Sequence, residues 1–461
     1  MVVIGSGPGG YRAAVLGALR GVRVAIVEKA EWGGCCLNRG CVPKKAWYHS
    51  AQLVQASRRF AARGLDGTLT PDLGRAWAHQ REVVESVRAS YTDYLKRLGV
   101  VALSGAARLG PNLTVAVNGD ILAARHIVLA TGGAPRVPAE VAPVAGKILT
   151  TDMLFDQPVP AGKSVAIVGG GVIATEFAFI LRMLGKEVQW FSRRAPLAAS
   201  SFSTPALATL RTALKAAEVA VQIRVPDRIA VEGDAVGLRF ADDTTAAVDW
   251  VLLATGRHAA TADLGLAQAG VQTDAAGFIK TDAYLATTAP HIFAIGDCVA
   301  GAPMTANQAL ADAATVVRNI LRPQSARRDP ARVPEVIYSA VELARVGLSE
   351  TAAEDAGHEP AIGFAAFETN PRALGQDETA GFVRLIADMD DGRLLGGEIV
   401  GHEAGELIHL LSAGEDAEAA LKRLAQAPFN HPARAEEVLN AVETLATKWG
   451  LADQVFGNGD I

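Results

Sequence analysis

The chain has 461 residues, 50% of them hydrophobic and 20% charged, which is globular in composition and too long for one core, so two to four domains are expected. A net charge of −5 gives no basic footprint for nucleic acid, and no apolar run approaches the roughly 18 residues of a membrane-spanning helix. Four cysteines in so long a chain are no secreted disulfide framework. No charged stretch with an apolar core opens the chain, so an export signal is not expected and a cytoplasmic protein is. The true start is left open upstream.

Residues 2 to 28 read as strand, glycine turn, helix and strand. Gly5, Gly7 and Gly10 fit G-x-G-x-x-G, with a helix from about Tyr11 to Leu19 and a second strand from Val22 to Val27. The first glycine permits the tight turn, the second the approach of a pyrophosphate, and the third close packing of helix on strand. The helix N-terminus then faces the phosphates. Glu28 ends the second strand, where a carboxylate can accept hydrogen bonds from a ribose diol. Glycines alone also make ordinary turns; the flanking strands and Glu28 make this one specific.

Next comes Gly33-Gly34-Cys35-Cys36-Leu37-Asn38-Arg39-Gly40-Cys41-Val42-Pro43-Lys44-Lys45. Cys36 and Cys41 beside a dinucleotide unit suggest electrons moving between a disulfide and a cofactor. In a regular helix a spacing of five exceeds the Cα separation of roughly 4.4–6.8 Å usual for a disulfide. A bridge therefore needs a distorted turn, which Gly40 and Pro43 can supply. Thiols near a helix N-terminus are expected to have lowered pKa values. A structural metal held by Cys35, Cys36, Cys41 and His49 matches no common zinc spacing, so no metal is expected. Cys35 and Cys298 read as small buried residues. Residues 77–98, with Trp77, Val84, Val87, Tyr91, Tyr94, Leu95 and Leu98 on one face, predict a long amphipathic helix that packs against another helix.

The nucleotide pattern recurs from Lys163 to Phe191. Val165 to Val168 form a strand, Gly169-Gly170-Gly171 with Ala174 fit G-x-G-x-x-A, and a second strand spans Glu187 to Phe191. Two units suggest two dinucleotides. The second ends on Ser192 rather than an acid, and Arg193 and Arg194 follow. Without a carboxylate a 2′-phosphate is not repelled, and an arginine can pair with it, so NADP(H) is favoured over NAD(H). The bland alternative is a solvated arginine turn. Near the C-terminus stands His431-Pro432-Ala433-Arg434-Ala435-Glu436. A histidine can take and return a thiol proton, and a carboxylate can orient its ring. Alone this run reads as a surface loop; the dithiol upstream gives it meaning.

Together these runs, with Ala130-Thr131-Gly132, Ala254-Thr255-Gly256-Arg257 and Ala294-Ile295-Gly296-Asp297, resemble the flavoprotein disulfide reductases of the dihydrolipoamide dehydrogenase, glutathione reductase and mercuric reductase family. The likeness spans nearly the whole chain. It implies an α/β fold with two Rossmann-like dinucleotide-binding domains and a C-terminal α+β dimerisation domain. The expected layout is an FAD domain over 1–145, an NAD(P) domain over 146–256, a return to the flavin side over 257–325, a linker at 322–334 and a dimer domain over 335–461.

The resemblance further implies FAD on the first unit, with Thr131 and Gly132 beside it, and a nicotinamide nucleotide on the second, near Gly256. Asp297 would bind the ribitol, and the backbone at Thr305 and Ala306 would face the flavin ring. Lys44 or Lys45 would lie near flavin N5, paired with Glu176. Cys41 would contact the flavin and Cys36 exchange with substrate. His431, held by Glu436, would act as acid–base in the other subunit of a homodimer.

The function implied is dithiol/disulfide oxidoreduction on a small-molecule or lipoyl-protein dithiol. Alternatives are an NADPH-dependent reductase of another low-molecular-weight disulfide, or a flavin-bearing binding module of a lipoyl-protein complex. Val15 and Ala313 stand where glutathione reductases carry arginines. Gly5-Ser6-Gly7-Pro8-Gly9-Gly10-Tyr11 and Val172 are more similar to lipoamide dehydrogenases. Lys44-Lys45 resembles the glutathione-reductase form, and Ser192-Arg193 resembles NADP-using relatives. Cys35 replaces a threonine, and no vicinal cysteines follow Glu436.

Overall fold

The computed structural model describes residues 1–412 and 419–457. The chain forms two compact units, one of Met1–Ala174, Ile180–Ala195 and Val221–Pro330, the other of Thr175–Phe179, Pro196–Ala220 and the chain from Ala331.

The first unit holds two all-parallel sheets. One has the strand order Ile292–Ala294, Ile127–Leu129, Val2–Ile4, Ala25–Glu28, Val101–Ser104. The other runs Val221–Gln222, Glu187–Phe191, Ser164–Val168, Trp250–Leu253, Ile148–Thr150. Their central strands are buried apolar runs, as sheets covered on both faces require. Val3, Ala13, Ala14, Ile26, Val128, Ala313 and Val316 form the core under the helices Pro8–Leu19 and Ala306–Leu321.

The first helix starts at Pro8, earlier than Tyr11, because a proline loses nothing in a first turn. The second strand starts only at Ala25, since Val22 N–H still returns to the Gly17 carbonyl. The expected long helix spans Leu73–Arg97, capped by Asp72 Oδ1 accepting from Arg75 N–H at 3.0 Å, and it packs on the helix Cys41–Ser57.

The second unit is built on an antiparallel sheet ordered Glu335–Tyr338, Glu342–Gly347, Leu394–Val400, Phe382–Asp388, Pro360–Ala366. The helix Glu436–Trp449 lies on it, burying Val438, Ala441, Val442 and Leu445 against Leu385 and Ile399. It comes so close that a Cβ on Gly363 would stand 2.3 Å from the Ala441 carbonyl oxygen.

Candidate active site

The glycine turn of the first unit is shaped by backbone contact. Gly5 has φ +104°, and a Cβ there would stand 2.3 Å from the Ala130 carbonyl oxygen. A Cβ on Gly10 would stand 1.9 Å from the Gly5 oxygen, whereas a Cβ on Gly7 would meet nothing within 4 Å. The outer glycines thus close helix on strand, and the middle one leaves open space at the N-terminus of Pro8–Leu19. That arrangement fits a pyrophosphate, which needs bare backbone N–H groups and room. Glu28 Oε2 accepts from Ser6 N–H (2.8 Å) and Ser6 Oγ–H (2.7 Å), and its Oε1 accepts from Ala30 N–H at 2.9 Å. Three of about four acceptor positions are filled, so a ribose hydroxyl has room for one more bond.

The dithiol is tied to this turn. Ser6 Oγ also accepts from Gly33 N–H at 2.9 Å. Gly34 has φ +64°, and its Cβ would meet Gly7 Cα at 2.6 Å. The short helix Gly34–Arg39 therefore begins against the phosphate turn. Cys36 lies on that helix, and Cys41 is the first residue of Cys41–Ser57. Between them Gly40 sits at φ −134°, ψ −112°, breaking helical geometry.

A hydrogen bond with Cys41, and then burial, holds the Cys36 thiol well above its ordinary pKa. The expectation of a lowered pKa is thus corrected for Cys36. It is the third residue of a six-residue helix and keeps its proton toward its partner, while Cys41 has the N-terminal position on a helix of 17 residues. Lys44 is buried on that helix and Lys45 is exposed. His49 is exposed, and no cluster of three metal-ligating side chains occurs among the described residues.

Cys35 has a richer setting than its small-residue reading. Its Sγ stands 3.4 Å from Arg257 Nη2 and 3.7 Å from Asp152 Oδ1. Arg257 Nη1 meets Asp152 Oδ1 at 3.2 Å, and its Nη2 donates to the Gly133 carbonyl. Burial pushes the Cys35 thiol up to about 12, with Arg257 opposing. Burial likewise raises the Asp297 carboxyl above its ordinary value, against Arg257 and helped by Asp312. Cys298 is fully buried and pushed up to about 11. Thr305 caps the helix Ala306–Leu321, its Oγ1 accepting from Gln308 N–H at 3.2 Å. Tyr11 and Tyr91 stack with ring centroids 4.1 Å apart. The Tyr91 phenol is raised by burial and then by the Cys36 and Cys41 sulfurs, which sets this pair beside the dithiol.

The second glycine turn repeats the device. A Cβ on Gly169 would stand 2.1 Å from the Ala254 carbonyl oxygen, whereas a Cβ on Gly171 would meet nothing within 4 Å. Ala174 is fully buried. Thr131-Gly132 and Thr255-Gly256 follow the two alanines that these turns press against. Ser192 is buried, and a Cβ on Gly170 would stand 2.2 Å from its Oγ; Arg193 and Arg194 are exposed.

Glu176 and the His431 loop belong to the second unit. Glu176 is buried, and its Oε1 accepts from Tyr338 N–H at 3.0 Å. His431 Nδ1 lies 2.8 Å from Glu436 Oε1, and Glu436 Oε2 accepts from Ala433 N–H at 2.7 Å. The Ala433 bond, then His431, holds the Glu436 carboxyl below its usual range. An ionised carboxylate only accepts, so Nδ1 carries the proton and Nε2 is left as the acceptor. The ring is 74% exposed while its loop is pinned: Asn370 Nδ2 donates to Ala433 O and Glu437 Oε1, and buried Arg434 donates to Gln376 and Glu378.

Sequence reasoning missed Ser6, Asp152, Arg257 as a partner of Cys35, Tyr11 with Tyr91, and Asn370. The signal that could have pointed to the close backbone contact at Gly34 is the glycine pair Gly33-Gly34 directly before the cysteines.

The model of the pyridine nucleotide-disulphide oxidoreductase family matches residues 1–313, and that of its dimerisation domain matches residues 333–442. A dihydrolipoyl dehydrogenase of Chlorobaculum tepidum is 34% identical over 423 residues, covering 88% of each chain. One from Thermus scotoductus is 33% identical over 456 residues, covering 96% of this chain and 97% of its own. A glutathione reductase of Burkholderia cepacia is 34% identical over 450 residues, covering 95% and 97%.

Among solved structures, LpdA of Mycobacterium tuberculosis has a TM-score of 0.88 at 23% identity, over 96% of this chain and 99% of its own, which is a likeness of fold. The HOCl-induced flavoprotein disulfide reductase RclA of Escherichia coli has a TM-score of 0.82 at 26% identity, over 96% and 99%. With two Rossmann-like domains, a C-terminal dimerisation domain and relatives named dihydrolipoyl dehydrogenase and glutathione reductase, the chain belongs to the pyridine nucleotide-disulphide oxidoreductase family of FAD- and NAD(P)-dependent enzymes.

Proposed function

We propose that the enzyme passes electrons between NADP(H) and a lipoyl-type dithiol, working as a cytoplasmic homodimer. The observation that carries the reading is the Cys36–Cys41 thiol pair held on the wall of the Gly5–Gly10 turn. The relatives named dihydrolipoyl dehydrogenase favour the lipoyl-type dithiol, and the dimerisation-domain match supports the dimer. No described helix is long and apolar enough to cross a membrane.

FAD, when bound, supplies two-electron transfer between a nicotinamide and the sulfur pair. Gly5, Gly7, Gly10, Glu28, Thr131, Gly132, Asp297, Thr305 and Ala306 would hold it, while Gly169, Gly171, Ala174, Arg193, Arg194 and Gly256 would hold the nucleotide. Buried Lys44, rather than exposed Lys45, would present an ammonium toward the interior, with Glu176 as its proposed partner.

From the oxidised pair, a substrate thiolate attacks Cys36 Sγ. The Cys36–Cys41 bond breaks, a mixed disulfide forms, and Cys41 leaves as thiolate. The second substrate thiol then attacks its own mixed-disulfide sulfur, closing the substrate disulfide and returning Cys36 as a thiol. Two electrons have passed from substrate to the protein pair. His431 Nε2 of the opposite subunit takes the substrate thiol proton, and Glu436 stabilises the charged ring.

Cys36→Ser should abolish lipoamide turnover while leaving yellow, FAD-loaded protein. Full lipoamide activity in that variant sinks the mechanism. A second reading, reduction of another low-molecular-weight disulfide by NADPH, is favoured by Lys44-Lys45 and the Burkholderia cepacia relative. Against glutathione itself stand Val15 and Ala313, both buried. Rates with lipoamide and glutathione disulfide, each with both nucleotides, separate the two.

A further inference from the structure

One buried carboxylate, Asp312, collects four donors. Its Oδ1 accepts from Arg328 Nε (2.8 Å) and Gln308 Nε2 (2.6 Å). Its Oδ2 accepts from Arg328 Nη2 (3.1 Å) and from Gly296 N–H (3.0 Å). The Asp312 side chain is fully buried and that of Arg328 is 12% exposed. A carboxylate has about four acceptor positions, so this one is saturated.

The donors come from three places. Gly296 precedes Asp297 on the turn Gly296–Cys298. Gln308 lies in the first turn of Ala306–Leu321, and its own N–H is capped by Thr305. Arg328 comes from the stretch 322–334, read in the sequence as a mere linker. That stretch is fastened: Arg328 N–H donates to the Ala283 carbonyl, and Asn319 bonds both the N–H and the carbonyl of Ala326.

We propose that Asp312 and Arg328 are positioning residues for the flavin site. They lock the Asp297 turn and the Thr305–Ala306 helix start to a single charged anchor. The inference rests on the reading of Asp297 and Thr305–Ala306 as flavin contacts. Arg328 also neutralises Asp312, the negative charge that pushes the Asp297 carboxyl further up. A bidentate guanidinium fixes angle as well as distance. Small misplacements of contact groups are costly, because binding and reactivity depend on sub-ångström geometry.

The test is made on the full-length dimer with FAD as the probe. Arg328→Met, shown folded by circular dichroism and gel filtration, should raise the FAD dissociation constant at least about tenfold and shift the visible spectrum of the flavin that remains. Arg328→Lys keeps the charge, loses the fork, and should fall between, with a smaller spectral shift. If Arg328→Met yields no folded chain, Arg328→Lys decides alone. Unchanged affinity and spectrum in the folded variants overturn the proposal. Asp297→Asn is the control: if it too leaves FAD binding unchanged, the flavin-site reading has failed. If it weakens binding while the Arg328 variants do not, only the anchor has failed.

Discussion

Arg257 and Cys35 are bonded neighbours: the guanidinium Nη2 lies 3.4 Å from a thiol that burial pushes up to about 12. Burial, against the opposing Arg257 charge, keeps this neighbour of Cys36, the proposed exchange cysteine, protonated, and a protonated thiol is a poor nucleophile.

This raised pKa has a consequence for stability. In the unfolded chain Cys35 ionises near its ordinary value of about 8.5, while in the folded chain it keeps its proton to about 12. Between those values the native state binds more protons, so its stability falls as pH rises. Cys35→Ala should flatten the decline of Tm with pH above about 9, and a parallel decline in both proteins would refute the assignment. At pH 8, iodoacetamide applied to the reduced protein should leave Cys35 unlabelled, as peptide mass mapping would show.

Gly34→Ala should loosen both cofactor and dithiol. Its Cβ would lie 2.6 Å from Gly7 Cα, in a left-handed conformation. Strain of this kind costs about 1–3 kcal/mol, visible as a lowered Tm together with weaker FAD retention. Gly21→Ala is the comparison, because Gly21 has φ +76° with nothing within 4 Å. It should lower Tm slightly and leave FAD retention unchanged.

For the nucleotide, Arg193→Glu should raise KM for NADPH far more than for NADH. A charge-assisted hydrogen bond contributes about 1.5–3 kcal/mol, which corresponds to roughly tenfold or more. Equal effects on the two nucleotides would show that Arg193 does not read the 2′-phosphate.

The His431 loop makes a prediction about assembly. Cys36→Ser and His431→Ala chains, each inactive as homodimers, should recover part of the lipoamide activity as mixed dimers, since one site then holds both residues. Purified mixed dimers as inactive as their parents would place His431 elsewhere. Glu436→Gln removes the ionised acceptor of Nδ1–H. It should slow thiol exchange while sparing electron transfer from nucleotide to an artificial dye. Because Glu436 sits below its usual range, the pairing is complete at neutral pH and is lost only as acid protonates the carboxylate.

The two parallel sheets were legible because glycine spacing and apolar strands are local signals, and Gly5, Gly10 and Gly169 are held by backbone contacts that only glycine tolerates. The family was legible because the cysteine run, Asp297 and His431 stand in order along the chain. The supporting contacts were not. Asp312 and Arg328 are ordinary charged residues in the sequence, and only folding shows that they are buried on each other. Cys35 looked inert because its partners, Asp152 and Arg257, lie 117 and 222 residues away. The pKa expectation failed at Cys36 because helix position was weighed without the neighbouring thiol.

Ala130 and Ala254 each offer a carbonyl oxygen against which a glycine turn is pressed, in the same way and at nearly the same distance. The chain thus carries one mould twice, and the mould reads only what dinucleotides share. In the proposed function, identity is left to the side chain at the end of each second strand, Glu28 in one and Ser192 in the other. Choice of coenzyme is, on that proposal, a detachable property. Exchanging residues 192–194 should retune it while the sheet, the turn and the dithiol stay as they are.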